Sequence, residues 1–126
     1  MKVAVSSMDK ELEARLDPRF GRACCFLLVD TDTREFYAVP NGGVGAAGGA
    51  GIQAAQTVVE EGAEAVITGS VGPNAMDVLK AAGVKIYEGE PYTVKEALEK
   101  FCKGDLQEVT SPKPRHYGAR GGRGLR

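Results

Sequence analysis

The residues of this chain whose types and spacing could do chemistry are mainly glycines, arginines and cysteines. Gly43-Val44-Gly45-Ala46-Ala47-Gly48 formally matches G-x-G-x-x-G. A dinucleotide fingerprint needs those glycines in the tight turn between a strand and its helix, and an acid at the end of the next strand for the ribose. Here the helical pattern begins near Gly51, and the next strand ends in Thr68-Gly69-Ser70, with no acid. No Gly-Lys-Ser/Thr follows the glycines, so there is no P-loop and no nucleotide is expected. The same residues suit a different ligand. Gly48-Gly49-Ala50-Gly51 leads into one helix and Gly69-Ser70-Val71-Gly72-Pro73 into another. Small residues let a ligand approach the backbone, and the free N–H groups and dipole of a helix N-terminus favour an anion. Alternatively these glycines only shape loops; the sequence leaves both readings open.

Arg19-Phe20-Gly21-Arg22 lies in a long polar loop. Two arginines flanking a glycine could clamp an anion with bidentate donors, or could be solvated around a Phe20 that plugs the core. Cys24 and Cys25 are adjacent in a strand pattern, so their side chains are expected on opposite faces and unable to chelate one metal jointly. Cys24, at the edge, is the candidate metal ligand through its thiolate; otherwise both pack as small core residues. Cys102 sits beside Phe101 on a helix and has no assigned role. His116 is the only histidine, which leaves no base for a nucleophilic triad inside the fold. The first strand ends in Ser6-Ser7, and only Asp30 places an acid at a strand end. Two-metal hydrolysis needs several acids converging on one point. No catalytic residue is assigned, and a non-enzymatic protein is expected.

These residues must be positioned by a small set of elements. Residues 2–7, 24–30 and 35–40 read as strands, the second a continuous apolar run of the kind found in a sheet covered on both faces. Thr31-Asp32-Thr33-Arg34 reads as the hairpin turn between the second and third strands. Ile52, Ala55, Val58 and Val59 recur at helical spacing, and Gly62 stops that run. Residues 65–68 form a strand, and Gly72-Pro73 opens a second helix whose inner stripe is Met76, Leu79 and Ala82. A strand at 84–87 follows. Thr93-Val94-Lys95-Glu96 is a capping box for a third helix that buries Val94, Ala97, Leu98 and Phe101. The order β-β-β-α-β-α-β-α predicts a three-layer α/β/α sandwich on a mixed five-stranded sheet.

At 126 residues the chain is one domain's worth of sequence, long enough to bury a core without staples. No apolar run approaches the ~20 residues of a membrane span, and Met1-Lys2-Val3-Ala4-Val5 starts directly into a strand pattern. Neither a membrane protein nor a secretory precursor is expected. Three cysteines without a CxxC exclude a disulfide scaffold and a zinc ribbon, and point to a reducing cytoplasm. Five of the sixteen basic residues fall in the last fifteen positions, which carry no acid; the body then holds eleven against seventeen acids, about −6. An acidic body does not attract nucleic acid over its surface. The expected domain is 1–110, with 111–126 a disordered Gly/Arg-rich tail too poor in apolar residues to order itself.

Four stretches together carry a resemblance: Arg19-Phe20-Gly21-Arg22-Ala23, Gly48-Gly49-Ala50-Gly51-Ile52, Val71-Gly72-Pro73-Asn74-Ala75 and Gly83-Val84-Lys85-Ile86-Tyr87. In this order and spacing they resemble the dinitrogenase iron–molybdenum cofactor biosynthesis family, the NifX-like accessory group, from residue 1 to about residue 108. The resemblance implies a ribonuclease-H-like fold with strand order 3-2-1-4-5 and one antiparallel strand. It also implies a carrier role for an iron–sulfur or molybdenum-containing cluster, an anionic cargo passed between cluster donor and acceptor proteins. Many members have a histidine where this chain has Gly48, and Pro-Tyr or similar where it has Cys24-Cys25. The candidate cofactor-binding residues are Ser6, Ser7, Arg19, Arg22, Gly48, Gly49, Gly51, Gly69, Ser70, Gly72 and Asn74, with Cys24 as metal ligand. Two competing readings are a regulatory module docking an acidic partner or RNA through its basic tail, and a nucleotide-using enzyme. The oligomeric state, monomer or weak dimer, is open.

Overall fold

The computed structural model describes residues 1–41, 49–89 and 92–111. Gly48, most of the glycine loop, His116 and the basic tail beyond Ser111 lie outside the described residues. The elements are β1 (Lys2–Ser7), β2 (Cys25–Asp30), β3 (Phe36–Pro40), α1 (Ala50–Glu60), β4 (Ala65–Thr68), α2 (Pro73–Ala81), β5 (Lys85–Glu88), α3 (Val94–Cys102) and β6 (Gln107–Glu108).

One mixed sheet runs β3-β2-β1-β4-β5-β6. The five expected strands keep the order 3-2-1-4-5, but among the described residues the sheet has six strands. Two of them, β2 and β6, run antiparallel to their neighbours, where one was expected. β6 has only two residues, too few for any period to show in the sequence. It pairs with β5 at Tyr87↔Glu108 and Glu88↔Gln107, and so covers an otherwise open edge.

The alternation of side chains along the strands builds two cores. Ala4, Phe26, Leu28, Val66 and Ile86 pack under α1 and α2, against Ala54, Ala55, Val58, Ala75, Met76 and Leu79. Val3, Val5, Leu27, Val29 and Ile67 pack under α3, against Val94, Ala97 and Leu98. Small residues at Ala54, Ala55 and Ala75 let the helices lie close; a Cβ at Gly51 would stand 3.3 Å from that of Ala75. The buried stripe of α2 includes Ala75 rather than Ala82, which is the exposed C-cap. The capping box of α3 forms: Thr93 Oγ1 accepts from the Glu96 amide at 3.1 Å, and the Thr93 amide donates to Glu96 Oε1 at 3.0 Å.

The long polar loop is the largest departure from expectation. It crosses the edge of the sheet at which β1 and β4 end, and anchors in both cores. Leu16 is 1% exposed on the α3 side and Phe20 is 2% exposed on the α1–α2 side. Between them, the Asp17 amide donates to the Ser6 carbonyl at 2.9 Å and the Ser70 amide to the Pro18 carbonyl at 2.9 Å. Pro18 therefore lies on Gly69: a Cβ there would run into the Pro18 carbonyl and sit 2.6 Å from its Cα. The Gly69→Ala variant should lose about 1–3 kcal/mol of stability through this overpacking. Gly72→Ala, where a Cβ meets nothing within 4 Å, should stay within about 0.5 kcal/mol of wild type. Urea denaturation of the two variants checks the pair.

Candidate functional site

The C-terminal ends of β1, β3, β4 and β5 lie along one edge of the sheet, which is where ligands bind in open α/β folds. The start of β2 belongs to the same edge, since Cys25 pairs with both Ser7 and Pro40. The helices that follow β3 and β4 begin here. Gly49 is the N-cap of α1 in the left-handed region (φ 70°), and Gly72 is the N-cap of α2 with Pro73 next. A glycine N-cap has no side-chain acceptor, so the first-turn amides that a Ser or Asp would have capped are left without one.

The crossing loop brings three of the candidate segments into contact. A Cβ at Gly21 would lie 3.1 Å from the Gly51 amide nitrogen, so the 19–22 turn rests on the first turn of α1. Arg19 forms a parallel bridge with Ser70, tying the same turn to the segment before α2. Asn41, buried at the end of β3, donates from Nδ2 to the carbonyls of Phe20, Gly21 and Ala23 at 3.0–3.3 Å. Asn74 is exposed in the first turn of α2, one residue before the buried Ala75 that meets Gly51.

The candidates divide by what their polar atoms already do. Ser6 and Ser7 are fully buried. Ser6 Oγ donates to the Asp17 carbonyl at 2.6 Å and shares a hydrogen bond of 2.7 Å with Thr68 Oγ1. Ser7 Oγ is bonded to the backbone of Asp9. These two hydroxyls, and the Ser70 amide, hold the scaffold together. Arg19 is exposed but engaged. Its Nε donates to Asp17 Oδ1 and its Nη2 to Asp17 Oδ2, each at 3.0 Å, and this pairing raises the guanidinium pKa above its ordinary value. Arg22 is exposed and forms no ion pair with a described residue. Asp17, 1% exposed, is the residue that sequence reasoning missed. Its Oδ1 also accepts from the Arg19 amide at 3.0 Å, an Asx turn, and the Asp17-Pro18 dipeptide was the available signal.

Cys24 is exposed and lies just before β2, not within it, so the strict alternation of a strand does not govern it. Cys25 is buried, and its thiol donates to the Asp9 carbonyl at 3.4 Å. Burial first, and then the neighbouring Cys24, push the Cys25 pKa up to about 11. Among the described residues no group of three or more His, Cys, Asp or Glu side chains is gathered to hold a metal ion. No described helix is long and apolar enough to cross a membrane.

The same overall fold occurs in known proteins. The family described as dinitrogenase iron-molybdenum cofactor matches residues 1–104. The apo form of the orange protein from Desulfovibrio gigas superposes with a TM-score of 0.86 at 37% identity, covering 90% of this chain and 96% of that one. A Thermotoga protein described as a candidate NifB protein gives 0.80 at 38% identity, covering 90% and 97%. An uncharacterized protein of Methanocaldococcus jannaschii is 28% identical over 97 residues, 75% of this chain and 82% of its own.

The cysteines offer a direct check on the burial at this edge. At pH 8 a thiol with a pKa near 11 is ionised to roughly one part in a thousand. Iodoacetamide on the folded protein should therefore modify Cys25 on the order of a hundredfold more slowly than Cys24, read by mass spectrometry. The folded pKa lies above the reference value of 9.0, so folding holds this proton more tightly. The associated stability is intact below about pH 9 and is lost as pH rises toward about 11. Cys25→Ala should flatten the pH dependence of stability across that window; an unchanged slope would count against the assignment.

Proposed function

Because this chain belongs to the dinitrogenase iron-molybdenum cofactor family, we propose that it is a non-catalytic binding protein or carrier for an anionic metal–sulfur cofactor, an iron–sulfur or molybdenum-containing cluster. The observation that carries the reading is the contact of the 19–22 turn with the first turn of α1. Together with the backbone bridge between Arg19 and Ser70, it brings the 19–22 turn beside the starts of α1 and α2, neither of which has a side-chain N-cap. Backbone amides at a helix start and a guanidinium both stabilise negative charge, and neither supplies a nucleophile or a base. The D. gigas neighbour is described as an apo form, which presupposes a bound group in that protein.

In this reading Gly49, Gly51, Gly72 and Asn74 line the cargo's approach, Arg19 offers it N–H donors, Arg22 counters its charge, and the exposed Cys24 is the thiol at this edge placed to add a metal–sulfur bond. Gly48 is assigned to the same role only by its place in the sequence before Gly49. Ser6, Ser7, Gly69 and Ser70 act behind that surface by fixing the loop. Residues 1–110 are the binding domain and the tail is an appendage. The strand order supports reading the core as ribonuclease-H-like. The protein works in the cytoplasm, between a cluster donor and a cluster acceptor.

Anaerobic incubation with iron, sulfide and molybdate, followed by size exclusion, tests this. Protein fractions should carry metal and a visible absorption band. Arg22→Ala should weaken retention on the order of tenfold, as expected for loss of a charge-assisted contact. A colourless, metal-free wild-type fraction would sink the proposal.

A further inference from the structure

The Asp17–Arg19 pair has a geometry that a simple surface ion pair lacks. One partner is sealed, with the Asp17 side chain 1% exposed, while the Arg19 side chain is 64% exposed. The contact is side-on, Nε to Oδ1 and Nη2 to Oδ2, both at 3.0 Å. The carboxylate is itself fixed, because Oδ1 also accepts the Arg19 amide. The backbone of Asp17 is bonded to Ser6 on both sides, through its amide at 2.9 Å and through its carbonyl at 2.6 Å. An arginine held this way has little rotamer freedom left to lose. Of its five N–H donors, two face Asp17 and three remain, including a parallel pair on the end-on edge across Nη1 and Nη2. Arg19 is also bridged through its backbone to Ser70, beside the start of α2.

We propose that Asp17 is a positioning residue that locks the Arg19 guanidinium side-on, so that its end-on edge presents two parallel donors to the anionic cargo. The proposal rests on the cargo reading above and narrows it. Two parallel donors in one plane match an anion that displays two neighbouring terminal oxygen or sulfur atoms, such as an oxo- or thiometalate face. Because the pair is electrically balanced, Arg19 contributes direction more than net charge, and the uncompensated charge comes from Arg22.

Two measurements test this. In the free wild-type protein the Arg19 Nε–H should give a distinct NMR resonance, protected from solvent exchange, which Asp17→Asn abolishes while the amide spectrum stays folded. An Arg19 Nε–H that exchanges as fast as that of Arg22 overturns the proposal whatever the cargo. Tetrathiomolybdate, a simple molybdenum–sulfur anion, is then titrated anaerobically by visible absorption. Asp17→Asn and Arg19→Ala should each weaken binding on the order of tenfold, and the double variant should be no weaker than Arg19→Ala alone. If Asp17→Asn costs as much in the Arg19→Ala background as in wild type, Asp17 acts through something other than Arg19 and the proposal fails. If the resonance is protected but wild type takes up no tetrathiomolybdate, the cargo reading fails, and Arg19's role in binding fails with it.

Discussion

The arrangement depends on one short crossing of the sheet edge. Leu16 is buried in the core beneath α3, and four residues later Phe20 is buried in the core beneath α1 and α2. Burying two such side chains is worth roughly 1.5–3 kcal/mol each, which sets the path of everything between them. Asp17, Pro18 and Arg19 are drawn across the ends of β1 and β4, with backbone bonds to Ser6 and Ser70 completing the fit. Pro18 can lie that low only because Gly69 has no side chain.

That crossing decides which groups at the edge face outward. Hydroxyls that look available for a ligand, Ser6 and Ser7, are buried by it and bonded to the backbone. The Gly21 contact instead brings the 19–22 turn to the start of α1. There a glycine N-cap leaves amides without a side-chain partner. The positive groups at the edge include helix termini, the Arg19 guanidinium bonded to Asp17, and Arg22, which forms no ion pair with a described residue. These groups stand on a body that is acidic overall.

The same edge keeps an exposed and a buried sulfur side by side. Cys25 is held as a neutral thiol by burial, so it behaves as part of the core at physiological pH. Cys24, one residue earlier and outside the strand, is exposed. Adjacent positions thus have different chemistry because β2 begins between them.

Among the described residues, eight of the nine elements could be read from the sequence, because each is fixed locally: Val66 and Ile67 in an apolar run, Pro73 at a helix start, Thr93 and Glu96 in reciprocal caps. The two-residue β6 could not, since it exists only because β5 offers an open edge. The glycines before α1 and α2 marked the site in outline by type and position. Their division of labour was invisible, because whether a glycine lines a surface or makes room for a proline depends on what packs against it. Residue pattern thus carried the layers and the small-residue turns before α1 and α2, and the family resemblance carried the order of the first five strands. That Asp17 is buried, that Arg19 answers to it and that Ser6 faces inward came from the folded packing. The inward turn of Ser6 and its hold on Asp17 follow from contacts 11 to 62 residues apart, for which a linear pattern carries no signal, and the Asp17–Arg19 pair, though only two residues apart, takes its geometry from that hold.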